Sequence, residues 1–245
     1  MEKMIVAMGM IFLMSTIAVS AGKEFETDVI KTSAGDLKIT CIGHGTLMFT
    51  FDGKVIHVDP VSREADYTGL PKADIVLITH EHRDHLDPAA LEQVRTDRTE
   101  IVLTEVCAQQ MKGGIVMRNG DVTTVQGLTV EAVPAYNIVH MRSPGVPFHP
   151  KGIGNGYIVT FGDTRVYVAG DTENIPEMKA LKAIDIAFLP MNVPYTMTPE
   201  MVADAARSIR PRILYPYHYG TTDTSRLVDL LRGEEGIEVR IRRMQ

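Results

Sequence analysis

Apolar positions along the chain fall first into short alternating runs and then into a repeated strand-and-helix pattern. Residues 37–41 and 47–51 are strand-like, an Asp52-Gly53 turn follows, and residues 54–58 run apolar up to Asp59-Pro60. Asp-Gly between two β-rich runs signals a hairpin, because it supplies the backbone twist that a tight connection needs. Residues 74–79 form a compact apolar run typical of a strand buried on both faces, and Asp87-Pro88 then offers a cap and a first-turn proline for a helix through Val94. Further strands are expected at residues 100–103, 128–133, 157–161, 165–169, 184–189 and 212–215, with helices at residues 105–111, 176–181, 199–209 and 225–231. Residues 134–156 are rich in Pro and Gly and lack periodicity, which predicts a long loop, and loops of that length in compact domains tend to carry function. Paired strands followed by strands alternating with helices predict an α/β sandwich of two mixed sheets flanked by helices.

The amino terminus departs from this pattern. Residues 4–19 are uncharged and rich in Met, Ile, Val and Ala, and Val19-Ser20-Ala21 precedes Gly22 and Lys23. The run is shorter than the roughly 20 residues of a membrane-spanning helix and ends in small residues. That is the pattern of a secretory signal peptide over residues 1–21, cleaved after Ala21 to leave one domain over residues 22–245. An uncleaved anchor is the alternative. Either way the folded domain is expected outside the cytoplasm, secreted or periplasmic, and after cleavage no stable membrane insertion is expected.

Composition narrows the function classes. With 25 Lys+Arg against 31 Asp+Glu the formal charge is −6, so no basic stripe is available for nucleic-acid phosphates and no nucleic-acid partner is expected. With 44% hydrophobic and 23% charged residues, the chain can bury an ordinary globular core. Cys41 and Cys107 stand far apart with no CxxC spacing, which excludes a cysteine zinc ribbon and predicts buried free thiols.

The chemistry concentrates directly after the buried strand, in Thr79-His80-Glu81-His82-Arg83-Asp84-His85. In a chain of this composition an HxHxDH pattern arises by chance roughly once in 2000 sequences, so it is specific. Alternate residues of an extended segment point the same way, so His80 and His82 can converge on one cation while the turn into the following helix aims Asp84 and His85 at a second. Asp171, in Ala169-Gly170-Asp171-Thr172, and His218, in Tyr217-His218-Tyr219-Gly220, also end strand-like runs. Asp171 could bridge both cations.

These motifs resemble the metallo-β-lactamase superfamily over nearly all of residues 37–218. Within it, Ile42-Gly43-His44-Gly45, Val58-Asp59-Pro60 and Tyr195-Thr196-Met197-Thr198-Pro199-Glu200 look most like the branch holding ascorbate-phosphate lactonase and N-acyl-phosphatidylethanolamine phospholipase D. The resemblance implies a four-layered αββα fold and a binuclear site, with His80 and His82 on metal one, Asp84, His85 and His218 on metal two, and Asp171 between them. The family's usual third histidine on metal one has no counterpart here, because Val133-Pro134-Ala135-Tyr136-Asn137 places asparagine there. His149, in Phe148-His149-Pro150-Lys151-Gly152, is the favoured replacement. His140 and Asn137 stay open.

The expected cofactors are two divalent metal ions, with zinc suited to the mixed imidazole and carboxylate set and manganese, iron or nickel tolerated. The expected activity is a secreted metal-dependent hydrolase that holds a metal-bridging hydroxide against an ester, lactone or phosphodiester-type small-molecule substrate, with Asp84 orienting that hydroxide. A di-iron redox protein and a non-catalytic binding module on the same fold are the alternatives. His44 is expected at the pocket rim and His57 in a core or surface role. Tyr136, Tyr195 and Tyr217 fall near strand ends, where substrate contact and packing are equally expected.

Overall fold

The structure is a computed structural model that describes residues 24–245. The expected signal peptide, residues 1–21, and its cleavage site lie outside the described residues. The first sheet contains β1 (Glu26–Thr32), β2 (Gly35–Gly43), β3 (Thr46–Phe51), β4 (Lys54–Val58), β5 (Ile75–Leu77), β6 (Glu100–Leu103) and β7 (Ile115–Val116), in that spatial order. Helices α1 (Pro88–Val94) and α2 (Glu105–Gln110) follow β5 and β6. Strands β8 (Val122–Val125) and β9 (Leu128–Ala135) open the second sheet, and a small ribbon of β10 (Met141–Ser143) and β11 (Val146–Pro147) interrupts it. The sheet continues through β12 (Gly154–Phe161), β13 (Thr164–Val168) and β14 (Ile186–Pro190). It then takes in α3 (Pro199–Ile209), β15 (Ile213–Tyr217), α4 (Thr224–Leu230) and β16 (Glu238–Val239), with the strand order β16-β15-β14-β13-β12-β9-β8.

In each sheet hairpin-joined antiparallel strands give way to parallel strands linked through helices, so both sheets are mixed. The two-residue period of β3 sorts its side chains: Leu47, Phe49 and Phe51 face the second sheet, whereas Met48 joins a separate cluster with Val76, Ile78, Leu91 and Val94 beneath α1. Between the sheets the Phe161 ring lies 5.7 Å from Phe49 and 5.4 Å from Phe51. On the far side, Val202, Ala203, Ala206 and Ile209 of α3 are buried in the main core. The result is a four-layered αββα sandwich. Both cysteines are free and buried. Among the described residues no helix is long and apolar enough to cross a membrane.

Several elements differ from the sequence expectations, which did not include β1, β7, β8, the β10–β11 ribbon or β16. Strand β1 buries only Ile30 of its seven residues, so its edge position gives it little apolar signal. Residues 176–180 close as a 3-10 turn instead of an α-helix. Residues 154–156, expected in the long loop, are strand: Gly154, Asn155 and Gly156 pair with Ala135, Pro134 and Val133. Glycine suits Gly156 because a Cβ there would sit 2.7 Å from the Ala169 carbonyl oxygen.

Candidate metal centre

The site lies where strand ends of both sheets meet. Thr79 and the His80 to His85 turn follow β5, Asp171 follows β13, His218 follows β15, and the segment between β9 and β12 supplies Asn137 and His149. His80, His82 and His149 present ring nitrogens within 4.8 Å of one another, and His44, Asp84, His85 and His218 bring three ring nitrogens and a carboxylate oxygen equally close in a second group. Asp171 stands between the groups: its Oδ2 lies 3.2 Å from His149 Nε2 and 3.5 Å from His218 Nε2, and its Oδ1 lies 3.5 Å from His85 Nε2. The structure therefore brings together all seven residues singled out in the sequence: His80, His82, Asp84, His85, His149, Asp171 and His218.

The outer ends of these rings are tied down. Asp59 accepts hydrogen bonds at 2.7 Å from His85 Nδ1 and at 2.6 Å from the Thr79 hydroxyl. With its proton given to Asp59, the Thr79 oxygen is left to accept from His80 Nδ1 at 3.0 Å. Asn137 Oδ1 accepts from His149 Nδ1 at 2.6 Å and from the His149 amide at 3.1 Å. Its Nδ2 donates to Glu173 and to the Tyr195 carbonyl, which fixes the orientation of the amide. In the neutral form each of the three rings thus carries its proton on Nδ1 and turns the Nε2 lone pair inward, the tautomer a cation requires.

Asn137 and His140 have other tasks. Glu173 is buried and accepts from the backbone amides of Ile138, Val139 and His140, and its Oε1 pairs with His140 Nδ1 at 2.6 Å. Of the remaining histidines, His44 is more than a rim residue: its Nε2 lies 3.3 Å from Asp84 Oδ2 and its ring packs 3.8 Å from that of His218. His57 is fully buried in the core, with Nε2 3.0 Å from the Pro71 carbonyl. Tyr217 is buried, whereas Tyr195 stands at the cleft mouth and Tyr136 bonds Glu177 outside it.

Sequence reasoning missed Asp59 and Glu173 as working residues. Asp59 stands in the Val58-Asp59-Pro60 motif quoted for the family resemblance, although only the fold shows what it reaches; its backbone there is left-handed, φ 43°.

Electrostatically the centre is a basin of negative potential. Burial raises the pKa of Asp84, but the His218 and His44 imidazoles beside it outweigh that and hold the carboxyl well below the usual range. Burial likewise works against His85, yet Asp171 and Asp59 override it and raise the imidazole to about 9. At His80 burial dominates, reinforced by the His85 charge, and the pKa falls. The donor set fits divalent cations. His85 Nε2, both His218 ring nitrogens and Asp171 Oδ1 are buried without a hydrogen-bond partner among the described residues. Orphaned polar atoms in a buried site are costly unless a ligand meets them.

An αββα sandwich with a histidine and aspartate cluster at its strand ends defines a metallohydrolase-type architecture. Residues 38–218 match the family described as the beta-lactamase superfamily domain. A UPF0173 metal-dependent hydrolase of Methanopyrus kandleri is 31% identical over 201 residues, which span 76% of this chain and 85% of that protein. A crystal structure from Parabacteroides distasonis, assigned as a metal-dependent hydrolase, shares 54% identity with a TM-score of 0.87, covering 91% of this chain and all of the other. A metallo hydrolase from Ignicoccus hospitalis shares 27% identity at a TM-score of 0.68, over 84% of this chain and 94% of that one. The chain belongs to the metallo-β-lactamase superfamily and, within it, to the UPF0173 metal-dependent hydrolase family.

Proposed function

We propose that the chain is a binuclear metal-dependent hydrolase acting on an ester, lactone or phosphodiester-type small molecule. One observation carries the reading: two groups of inward-facing donors share the Asp171 carboxylate, and four of the site's buried polar atoms have no partner. In this assignment His80, His82 and His149 hold one divalent cation, Asp84, His85 and His218 hold the other, and Asp171 serves both. When bound, such a pair supplies Lewis acidity and makes water nucleophilic near neutral pH. The imidazole-rich set favours zinc, with manganese, iron and nickel as outcomes of metal analysis. Resemblance to the lactonase and phospholipase D branch, read from residues 42–45, 58–60 and 195–200, supports the range of substrates.

The chain's own groups do the positioning. Asp59 and Asn137 fix ring tautomers, as described above. Asp84 stays ionised and faces the cleft, so its carboxylate can accept a hydrogen bond from the attacking water and orient it. Export through residues 1–21 belongs to the same proposal, and the intact mass of the secreted product tests it.

Protein reconstituted at neutral pH is expected to carry close to two metals per chain and to hydrolyse at least one member of an ester, lactone and phosphodiester panel. Chelation should remove that activity. His149→Ala should lower metal content and rate together, whereas His140→Ala should change neither more than a few-fold. Only trace metal after reconstitution would favour the binding-module reading instead.

A further inference from the structure

We propose that the substrate carries an oxyanion group, phosphoryl or carboxylate, which Arg83 and Arg142 receive at the mouth of the cleft. The proposal rests on the hydrolase reading and adds the substrate's charge to it. A cleft of about 480 Å³ opens over Asp84, Asp171 and His218, and three guanidinium groups line it: Arg63, Arg83 and Arg142. They gather there in a chain whose formal charge is −6.

Most arginines outside the cleft meet a carboxylate, Arg98, Arg210 and Arg212 excepted among the described residues. Arg118, Arg165 and Arg226 each meet a glutamate, and Arg63 Nε meets Glu64 at 3.0 Å. Among the described residues, Arg83 and Arg142 have no carboxylate partner within ion-pair distance, and both are exposed. Arg142 is also placed. Its Nη2 lies 3.4 Å from His82 Nε2, and its Cζ stands 5.8 Å from the Phe148 ring centroid. Phe148 in turn meets Tyr195 edge-on at 5.1 Å, so the guanidinium sits on an aromatic wall beside the metal centre.

A neutral substrate gains no charge attraction from Arg83 and Arg142. An anionic one is steered inward and gripped, because the planar guanidinium fork matches carboxylate and phosphoryl oxygens in bidentate fashion. Because Arg142 adjoins His82, the anionic group lies close to the scissile bond, with any apolar part of the substrate against Phe148 and Tyr195.

The test titrates phenyl phosphate, benzoate and neutral benzamide into zinc-reconstituted protein by calorimetry. The wild type is compared with the Arg83→Gln/Arg142→Gln double variant and with Arg142→Lys. The expected result is binding of one or both anions, weakened at least tenfold in the double variant and less in the lysine variant, with zinc content and melting temperature unchanged. The stronger-binding anion identifies the group as phosphoryl or carboxylate. If neither anion binds the wild type, or affinity in the double variant stays within twofold, the subsite is overturned. Arginine-dependent binding without hydrolysis of any panel member would sink the hydrolase reading alone. Hydrolysis with equal kcat/KM on 4-nitrophenyl butyrate and 4-nitrophenyl hemisuccinate, in wild type and double variant alike, would sink the subsite alone.

Discussion

Asn137 accepts the Nδ1 proton of His149 at 2.6 Å, and this contact decides which nitrogen of the ring faces Asp171. The asparagine therefore serves as the brace of the histidine that follows it in the chain. Replacing Asn137 by alanine should weaken one of the two metals by roughly 10–100-fold, the usual cost of losing such a partner. Asn137→Asp keeps an acceptor for His149 but turns a carboxylate toward Glu173 and the Tyr195 carbonyl, where the amide donated, and should not restore the affinity. Chelator competition with metal counting reads the loss, and unchanged affinity in Asn137→Ala would contradict the brace.

Glu173 ties the segment that carries these residues. With its side chain deleted, three backbone amides, His140 and Asn137 lose their acceptor in a buried setting. Glu173→Ala should cost about 3 kcal/mol in urea denaturation, as expected for breaking a buried charged network from one side. It should also expose residues 138–147 to protease. His140→Ala, which leaves the amides satisfied, should cost about 1 kcal/mol or less.

Gly45 packs against the centre from the other side. A Cβ added there would lie 2.8 Å from His85 Cε1 and 3.6 Å from His218 Cδ2. Since His85 is fully buried and already anchored to Asp59, it cannot swing away cheaply. Gly45→Ala should therefore destabilise the fold by about 1–3 kcal/mol, typical of overpacking. Metal content should fall, whereas Gly53→Ala, with open space around it, should leave the metal count unchanged.

His57 gives a pH dependence separate from the metal centre. Burial lowers its pKa to about 4, partly offset by the hydrogen bond to the Pro71 carbonyl. The unfolded chain binds this proton near pH 6.5 and the folded protein only near 4, so stability is lost as pH falls through that window. A shift of this size corresponds to about 3 kcal/mol at the acid end. His57→Gln should flatten the wild-type stability profile between pH 6.5 and 4 while leaving the part below it. Parallel profiles for the two proteins would show that His57 is not the group responsible.

The layered fold and the convergence of the HxHxDH turn with Asp171 and His218 were legible because both are written locally. Alternation sets the inner and outer faces of β3, and the ligand-type residues sit at strand ends within a few positions of apolar runs. The braces were not legible. Asp59 reaches His85 across 26 positions, and Asn137 reaches Glu173 across 36, pairings that exist only once the strands of each sheet have been brought side by side. Strand β1 escaped notice for a different reason: an edge strand with one buried residue has no hydrophobic periodicity to read.

Asp59 has one further consequence. Through His85 it touches one donor group, and through the Thr79 hydroxyl and His80 it touches the other. A single buried carboxylate therefore acts as a common strut for both halves of the centre. Whatever tightens one half stiffens the other, so the two cations should load as a cooperative pair, and a half-filled centre should be a sparsely populated state.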